Sequence, residues 1–378
     1  IMSTLKIAWN DYNIGEDGFN IYRSSDSMDI NNLPSPIASL GPNIGSYEDT
    51  TASTGTSYYY RIGVIRNGKE SIGEEYRFDT YNIYITAVGA DGHIGNITKD
   101  GEFVWTDRIN NTNFRAVGVD SLGNSYVGTI DGLIIKFDSK GNKLWESQHT
   151  SDVAGIQANA STGYLYASFT SGKGVIEIDI ETGNEVTTNG WPFNNDNQYS
   201  VLKMDRNGYI YVGSGYNSYN FYKIDPTDAS IVWSSNDHSS KVVSIETDTV
   251  NGHVYTGTRI SDTLRKIDMS NGSTLRSTDT YFDVDVNGIG MGFDGYLYAS
   301  TYNDITLIDT QYLNNSRAYN FPINDISGNY DLVSDIDGNM YITRASENAI
   351  YKYDNQGYQV WKSDNIYNIR HIDISIVY

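Results

Sequence analysis

The sequence predicts an all-β protein in two parts, a small β-sandwich over residues 1–80 and a seven-bladed β-propeller over residues 81–378. Three observations predict it. Apolar residues alternate with period two in short runs bounded by Gly, Asn, Asp and Pro, the pattern of half-buried strands joined by tight turns. From residue 82 onward the chain repeats itself at a spacing of 40 to 45 residues, with no 3.6-residue periodicity to suggest a helical solenoid. Aromatic residues make up 13% of the chain, including 32 Tyr, whereas acidic disordered chains are poor in aromatics.

In the first part, Leu5, Ile7 and Trp9 alternate, as do Phe19, Ile21 and the aliphatic stem of Arg23. Further strands are expected around Ser46–Thr51, Thr56–Ser71 and Glu74–Tyr81, with turn residues between them. Trp9 reads as a core residue. Thr56-Ser57-Tyr58 matches a Thr-x-Tyr pattern in which the phenol ties a crossover to the backbone. These residues, with the run from Asp17 to Ser71, resemble an immunoglobulin-like fibronectin type III module of the kind common in bacteriophage tail and fibre proteins. The resemblance implies a two-sheet sandwich.

The second part carries equivalent tyrosines at Tyr126, Tyr166, Tyr211, Tyr255, Tyr298 and Tyr341. Each copy reads as four strands: the first ends in an Asp/Gly/Asn turn, the second holds the Tyr, the third ends in an apolar residue followed by Asp, and the fourth often ends in Trp. Four strands per 40 to 45 residues is the pattern of a propeller blade. Residues 82–105 supply only the last three strands of a copy, and residues 370–378 look like a lone first strand, with Arg370–Asp373 placed as Arg115–Gly118 are. The C-terminal strand is therefore expected to complete the first blade, which removes two raw sheet edges. The repeat, Asp-x-x-Gly-Asn-x-Tyr-x-Gly and then Ile/Phe-Asp-x-x-Gly-x-x-x-Trp, resembles the PQQ-like or quinoprotein-like propellers over about residues 82–378. True quinoprotein dehydrogenases of that kind carry eight blades, regular Trp docking motifs, a calcium site and often a disulfide of adjacent cysteines. This chain has no Cys and irregular Trp positions, so no quinone or other cofactor is expected.

Composition narrows the partners. The formal net charge is −21, with 26 Lys and Arg against 47 Asp and Glu. Phosphate neutralisation needs a cationic surface, so direct nucleic-acid binding is not expected, and an acidic surface repels anionic lipid as well. No apolar run approaches the ~20 residues of a membrane span. The first residues show neither a basic stretch nor an apolar leader core.

No catalytic or metal site is expected. His93, His149, His238, His253 and His371 fall at different points of the repeat, and no pair has metalloprotease spacing. Asp335-x-Asp337-Gly-Asn339 resembles the front of a calcium loop. The same turn recurs at 120–124 and 138–142, and recurrence at one blade position favours a β-turn in which Asp caps and Gly takes positive φ.

Binding is expected on the face formed by the second-to-third-strand and fourth-to-first-strand loops, which vary in length and are rich in Asn, Asp, Tyr and Trp. Aromatic faces stack on sugar rings while Asn and Asp bond hydroxyls. The candidate ligand-binding residues are Trp191, Phe193, Tyr199, Tyr216, Tyr219, Tyr281 and Tyr302, with Asn217 and Asp304 as polar partners. With the fibronectin resemblance, this gives a non-enzymatic phage virion surface protein of tail-fibre or receptor-binding type that binds a host-surface glycan or protein. Its sandwich would contact other virion proteins, and an oligomer is expected. The alternatives are a structural or decoration protein making only protein contacts, and a secreted bacterial propeller acting as adhesin or lyase.

Overall fold

The computed structural model of the protein describes residues 2–9, 15–53, 56–80, 82–196, 198–215, 218–259, 264–278, 285–291, 296–301, 305–311, 313, 319–320, 329–335, 338–364 and 366–377. Among them every regular element is a β-strand. The chain divides into two compact units, residues 1–82 with 376–378, and residues 83–375.

In the first unit Met2–Ala8 pairs antiparallel with Ser46–Ser53. A second sheet contains Gly18–Ser24, Ala38–Leu40, Thr56–Arg66, Lys69–Ile72 and Tyr76–Thr80. Alternation places Ile7, Phe19, Ile21 and Tyr60 in the interior, and Trp9 packs on Phe19 with ring centroids 5.3 Å apart. The buried Asp49 accepts from Arg23 Nη1 at 2.6 Å, Tyr60 Oη at 2.8 Å and Thr51 Oγ1 at 2.7 Å. Burial alone would raise this carboxyl, but those bonds hold it below the usual carboxylate range. Tyr58 Oη accepts the Ser53 N–H at 3.1 Å, tying the strand before it to the strand that holds it.

The second unit contains, among the described residues, seven four-stranded antiparallel sheets, here numbered I to VII in chain order. Sheets II to VII are each built from four consecutive strands. Their first strands are Phe114–Val119, Val153–Asn159, Tyr199–Met204, Val242–Asp248, Gly288–Met291 and Asn329–Ser334. Sheet I differs: Asn82–Gly89, His93–Thr98 and Phe103–Arg108 are joined by Ile369–Val377, which pairs with Asn82–Gly89 and takes the first-strand place. The six repeat tyrosines are all buried on second strands. They pack with aliphatic residues of the neighbouring sheets, as Tyr126 does with Ile156 and Ile178.

Neighbouring sheets are fastened at their outer strands by one recurring device. Lys136 and Trp145 face each other across sheet II, and both donate to Ile180 O of sheet III, Nζ at 3.0 Å and Nε1 at 2.8 Å. Lys223 and Trp233 do the same to Met269 O, at 3.0 and 2.9 Å. Lys352 and Trp361 of sheet VII do it to Lys99 O of sheet I, at 3.0 and 2.8 Å. Each indole lies on the glycine of the turn it reaches. Gly272 has φ +77°, and a β-carbon there would stand 2.5 Å from Trp233, so only glycine satisfies both the turn and the contact. The tryptophan positions that look irregular in the sequence are thus largely regular in space. Arg276 stands opposite Lys266 where the indole stands in those sheets.

Candidate functional site

On the face carrying the first-to-second and third-to-fourth strand turns, the carboxylates are consumed locally. Asp120 Oδ2 accepts from Tyr126 Oη and Asn124 Nδ2, both at 2.8 Å, while Oδ1 accepts the Leu122 and Asn124 N–H groups at 2.9 Å. Asp205 binds Tyr211 Oη at 3.0 Å, and Asp335 binds Tyr341 Oη at 2.9 Å with Asn339 on the same carboxylate. These bonds make the Asp-x-x-Gly-Asn segment a turn device. Burial, and then the adjacent carboxylate, push the Tyr126 and Tyr211 phenols far above their ordinary value, so they remain donors. Asp337 lies outside the described residues.

The first strands of all seven sheets line a central cavity of about 150 Å³. Its polar part holds Lys203, with Nζ 3.6 Å from Glu246 Oε2, and His371, with Nδ1 3.5 Å from Asp331 Oδ2. Asp373 accepts the Val119 N–H at 2.9 Å. Burial pushes the Asp373 carboxyl up to about 6 against the pull of Lys203. Glu246, then Asp373 and Asp331, raise Lys203 despite its own desolvation.

A second cavity of about 290 Å³ opens on the loop face and shares Arg115 with the first. Its wall takes Asp152, Gln198 and Lys241 from the residues just before three successive first strands, and Thr170 and Gly215 from second-to-third-strand loops. Arg115 Nη1 bonds Asp152 Oδ2. Asp152 Oδ1 and Gln198 Oε1 are buried without a protein partner. Burial raises the Asp152 carboxyl in spite of Arg115. Burial, with Arg115 and Arg259 close by, brings the Lys241 ammonium down to about 8, Asp152 acting in the opposite sense. The cavity therefore joins two cations, one carboxylate and two unsatisfied acceptors, a polar set able to orient a small ligand.

The structure redistributes the residues expected from sequence. Trp191 and Phe193 are core, 4% and 6% exposed, and not loop-face contacts. The regular fourth strand of sheet III is only Glu185–Val186, but Phe193 re-pairs with Val175. That fold-back makes Trp191 an edge residue whose Nε1 bonds Pro226 O of the next sheet at 3.1 Å. Tyr199 is 1% exposed and so not a free aromatic platform, although it does line the mouth cavity. Its hydroxyl is occupied by the Asn195 and Asp196 N–H groups, both at 3.1 Å. Tyr219 is half-buried with φ 51° and lies outside that cavity wall. Tyr216, Asn217, Tyr281, Tyr302 and Asp304 lie outside the described residues.

Arg115, Asp152, Gln198 and Lys241 were not singled out by sequence. Their signal is positional: each sits at or just before the start of a first strand, where the repeats carry polar residues of changing type. The histidines do not converge. His238 is buried with Nε2 2.9 Å from Thr256 Oγ1, His93 bonds Asp91 at 2.9 Å, and no group of three metal-ligating side chains occurs among the described residues.

Four-stranded antiparallel sheets following one another around a channel, with first strands innermost, define a β-propeller. A family model described as outer membrane protein assembly factor BamB, PQQ_2, matches residues 78–278, and the chain belongs to that family. Among solved structures, BamB from Moraxella catarrhalis is similar with a TM-score of 0.53 at 14% identity, over 74% of this chain and 82% of that one. The nidogen/laminin complex gives 0.50 at 11% identity, over 78% of this chain and 98% of that one. At such identities the likeness is one of fold. No curated protein matches the chain.

Proposed function

We propose that the protein is a non-enzymatic binding protein of a bacteriophage virion surface, of tail-fibre or receptor-binding type. In this reading the seven sheets are the seven blades of one closed propeller and the first unit is a fibronectin type III module that contacts other virion proteins. The loop face engages a host-surface glycan or protein. Supporting the module are the Tyr58 tie to Ser53 and the Trp9–Phe19 core. The observation that carries the binding role is a pair of buried acceptors on one loop-face cavity wall, Asp152 Oδ1 and Gln198 Oε1, that lack protein partners. Rigid scaffolds commonly present function on such loops. Many copies on one particle would add avidity without tight single-site binding.

The test is competition. Host cells pre-incubated with the purified chain should adsorb fewer phage particles in proportion to the protein bound. Unchanged adsorption at saturating protein would sink the receptor-binding role. It would favour a second reading, a decoration protein making only protein contacts, for which the family's description as an assembly factor speaks.

A further inference from the structure

We infer that Tyr367 and its neighbours form a second contact on the loop face, a platform on which the ring of a neutral hexose stacks while Asp91 and Asn348 bond its hydroxyls. The inference rests on the adhesion reading, names a sugar as its ligand class, and concerns residues outside the mouth cavity. Tyr367 stands in the loop between the fourth strand of sheet VII and the closing strand Ile369–Val377, and it is 54% exposed. Among the described residues the other exposed aromatic side chains are Tyr358, in a turn on the opposite face, and Tyr76, in the first unit. Tyr367 is therefore the open aromatic ring of the loop face.

Exposed tyrosines are common on protein surfaces, and what sets this one apart is how it is held. Its ring lies against His93, centroids 5.2 Å apart, and His93 Nδ1 is 2.9 Å from Asp91 Oδ1. The preceding residue, Ile366, is buried. The following residue, Asn368, has φ 53°. Its N–H donates to Asn348 Oδ1 at 2.7 Å, and its carbonyl accepts the Ala90 N–H at 2.9 Å. A β-carbon on Gly89 would stand 2.1 Å from Tyr367 O and 3.1 Å from Asp91 Oδ1. That carbonyl and carboxylate thus lie side by side, and their approach requires the glycine. Three loop segments, 90–92, 345–348 and 366–368, are tied around one ring, so little ordering is left for a ligand to impose.

The polar groups beside the ring select the ligand. With Asp91 Oδ1 on His93 and Asn348 Oδ1 on Asn368, the second oxygen of Asp91 and the amide nitrogen of Asn348 remain. They offer an acceptor and a donor, the complement of sugar hydroxyls, while the ring covers the apolar face of a pyranose. A quaternary ammonium calls for a cage of several aromatic faces, and a single ring is open here. An anion would meet the Asp91 carboxylate in a chain of net charge −21. One stacked ring gives weak binding at each site, which many copies on a particle convert into adhesion.

The experiment is saturation-transfer NMR on the intact chain with millimolar glucose, galactose and mannose, and with choline as the control. At least one hexose should receive saturation, strongest on the C–H protons of one ring face. Tyr367→Ala should weaken that hexose by about 10-fold, the size of one aromatic stacking contact. Tyr367→Phe keeps the ring and should bind nearly as the parent does. Asp91→Asn should weaken binding a few-fold. No transfer to any of the three hexoses overturns the inference, as does a preference for choline. So does hexose binding unmoved by Tyr367→Ala, or by Asp91→Asn should the first variant fail to fold. If the protein blocks phage adsorption yet no hexose binds, the platform fails and the adhesion reading stands. If a hexose binds as described but the protein blocks no adsorption, the adhesion reading fails and the platform stands.

Discussion

Two kinds of junction hold the second unit together, and they differ at the centre while agreeing at the rim. At the rim, the join of sheet VII to sheet I uses the same Lys–Trp pair on one carbonyl as the joins inside the array: Lys352 and Trp361 on Lys99 O, against Lys223 and Trp233 on Met269 O. At the centre, interior first strands are bridged both by hydroxyls on backbone carbonyls, Ser200 Oγ to Val242 O at 2.6 Å and Ser244 Oγ to Val286 O at 2.9 Å, and by the ion pair of Lys203 with Glu246 at 3.6 Å. The closing strand Ile369–Val377 is flanked by carboxylates instead. Asp373 Oδ2 accepts the Val119 N–H at 2.9 Å, and Asp331 Oδ2 accepts the Ile372 N–H at 3.3 Å. The rim joins alike wherever the repeat keeps the Lys–Trp pair, as sheets II, IV and VII do, while sheet V carries Arg276 in the indole's place. The centre must recruit a strand distant in sequence, and there carboxylates accept backbone N–H groups where interior serines donate to backbone carbonyls.

The most severe way to break this equivalence is to remove the captured end. Deleting residues 369–377 strips the first-strand place from sheet I. It forfeits several ladder hydrogen bonds worth ~1 kcal/mol each, against a total stability of about 5–15 kcal/mol. Loss of cooperative melting, or aggregation in size-exclusion chromatography, is expected. A soluble truncated chain with the parent melting curve would mean the strand is an ornament. Next in size, Trp233→Ala should cost about 3 kcal/mol in denaturant unfolding through lost burial and a lost bond to the next sheet, and Trp361→Ala, where the ring is only half-buried, about 2 kcal/mol. If the rim is equivalent throughout, the two losses agree within about 1 kcal/mol. A much larger loss at Trp361 would show that closure leans on its rim.

Much of this architecture is legible in the sequence because it is local and repeated. The tyrosine spacing and the Asp-x-x-Gly-Asn turns give strand order, and the likeness of Arg370–Asp373 to Arg115–Gly118 points to the strand that joins sheet I. Trp191 and Phe193 were misread because sheet III interrupts its fourth strand after Val186 and resumes pairing at Phe193. On paper that interruption is indistinguishable from a long polar loop. The mouth cavity was invisible for another reason. Arg115, Asp152, Gln198 and Lys241 are lone residues some 40 positions apart, and only the packing of successive sheets brings them around one space.

Smaller effects sharpen the rim comparison. Lys223→Met and Lys352→Met each remove a charged donor but leave the shared carbonyl bonded to the indole. They also lose cation–π contacts with Tyr211 at 5.5 Å and Tyr341 at 5.3 Å. Desolvation of the ammonium offsets part of this, since burial lowers the pKa of Lys223, so about 1–2 kcal/mol is expected at each site. Equal midpoint shifts in urea would support one shared device. A shift confined to Lys352 would separate the closing rim from the interior one.

The finest test addresses the central difference, the charge on the closing strand. Burial lifts the Asp373 carboxyl to about 6, with Lys203 pulling it down and Asp331 pushing it up. A folded pKa above the unfolded value of ~3.9 means that the group's contribution to stability is complete below about pH 4 and lost as pH rises through about 6. Asp373→Asn cannot ionise, and its amide oxygen still accepts from Val119, while Lys203 keeps Glu246 at 3.6 Å. The variant should therefore gain on the parent between pH 4 and pH 7. The shift corresponds to at most ~3 kcal/mol, and screening by channel water and the loss of a counter-charge to Lys203 reduce it to about 1 kcal/mol. Parallel thermal melts at the two pH values read the difference directly, with Ser244→Ala at an interior junction as the neutral reference. Were the Asp373→Asn curve to track the parent at both, the closing carboxylate would be titrating like any surface acid, and the two kinds of junction would be electrostatically alike.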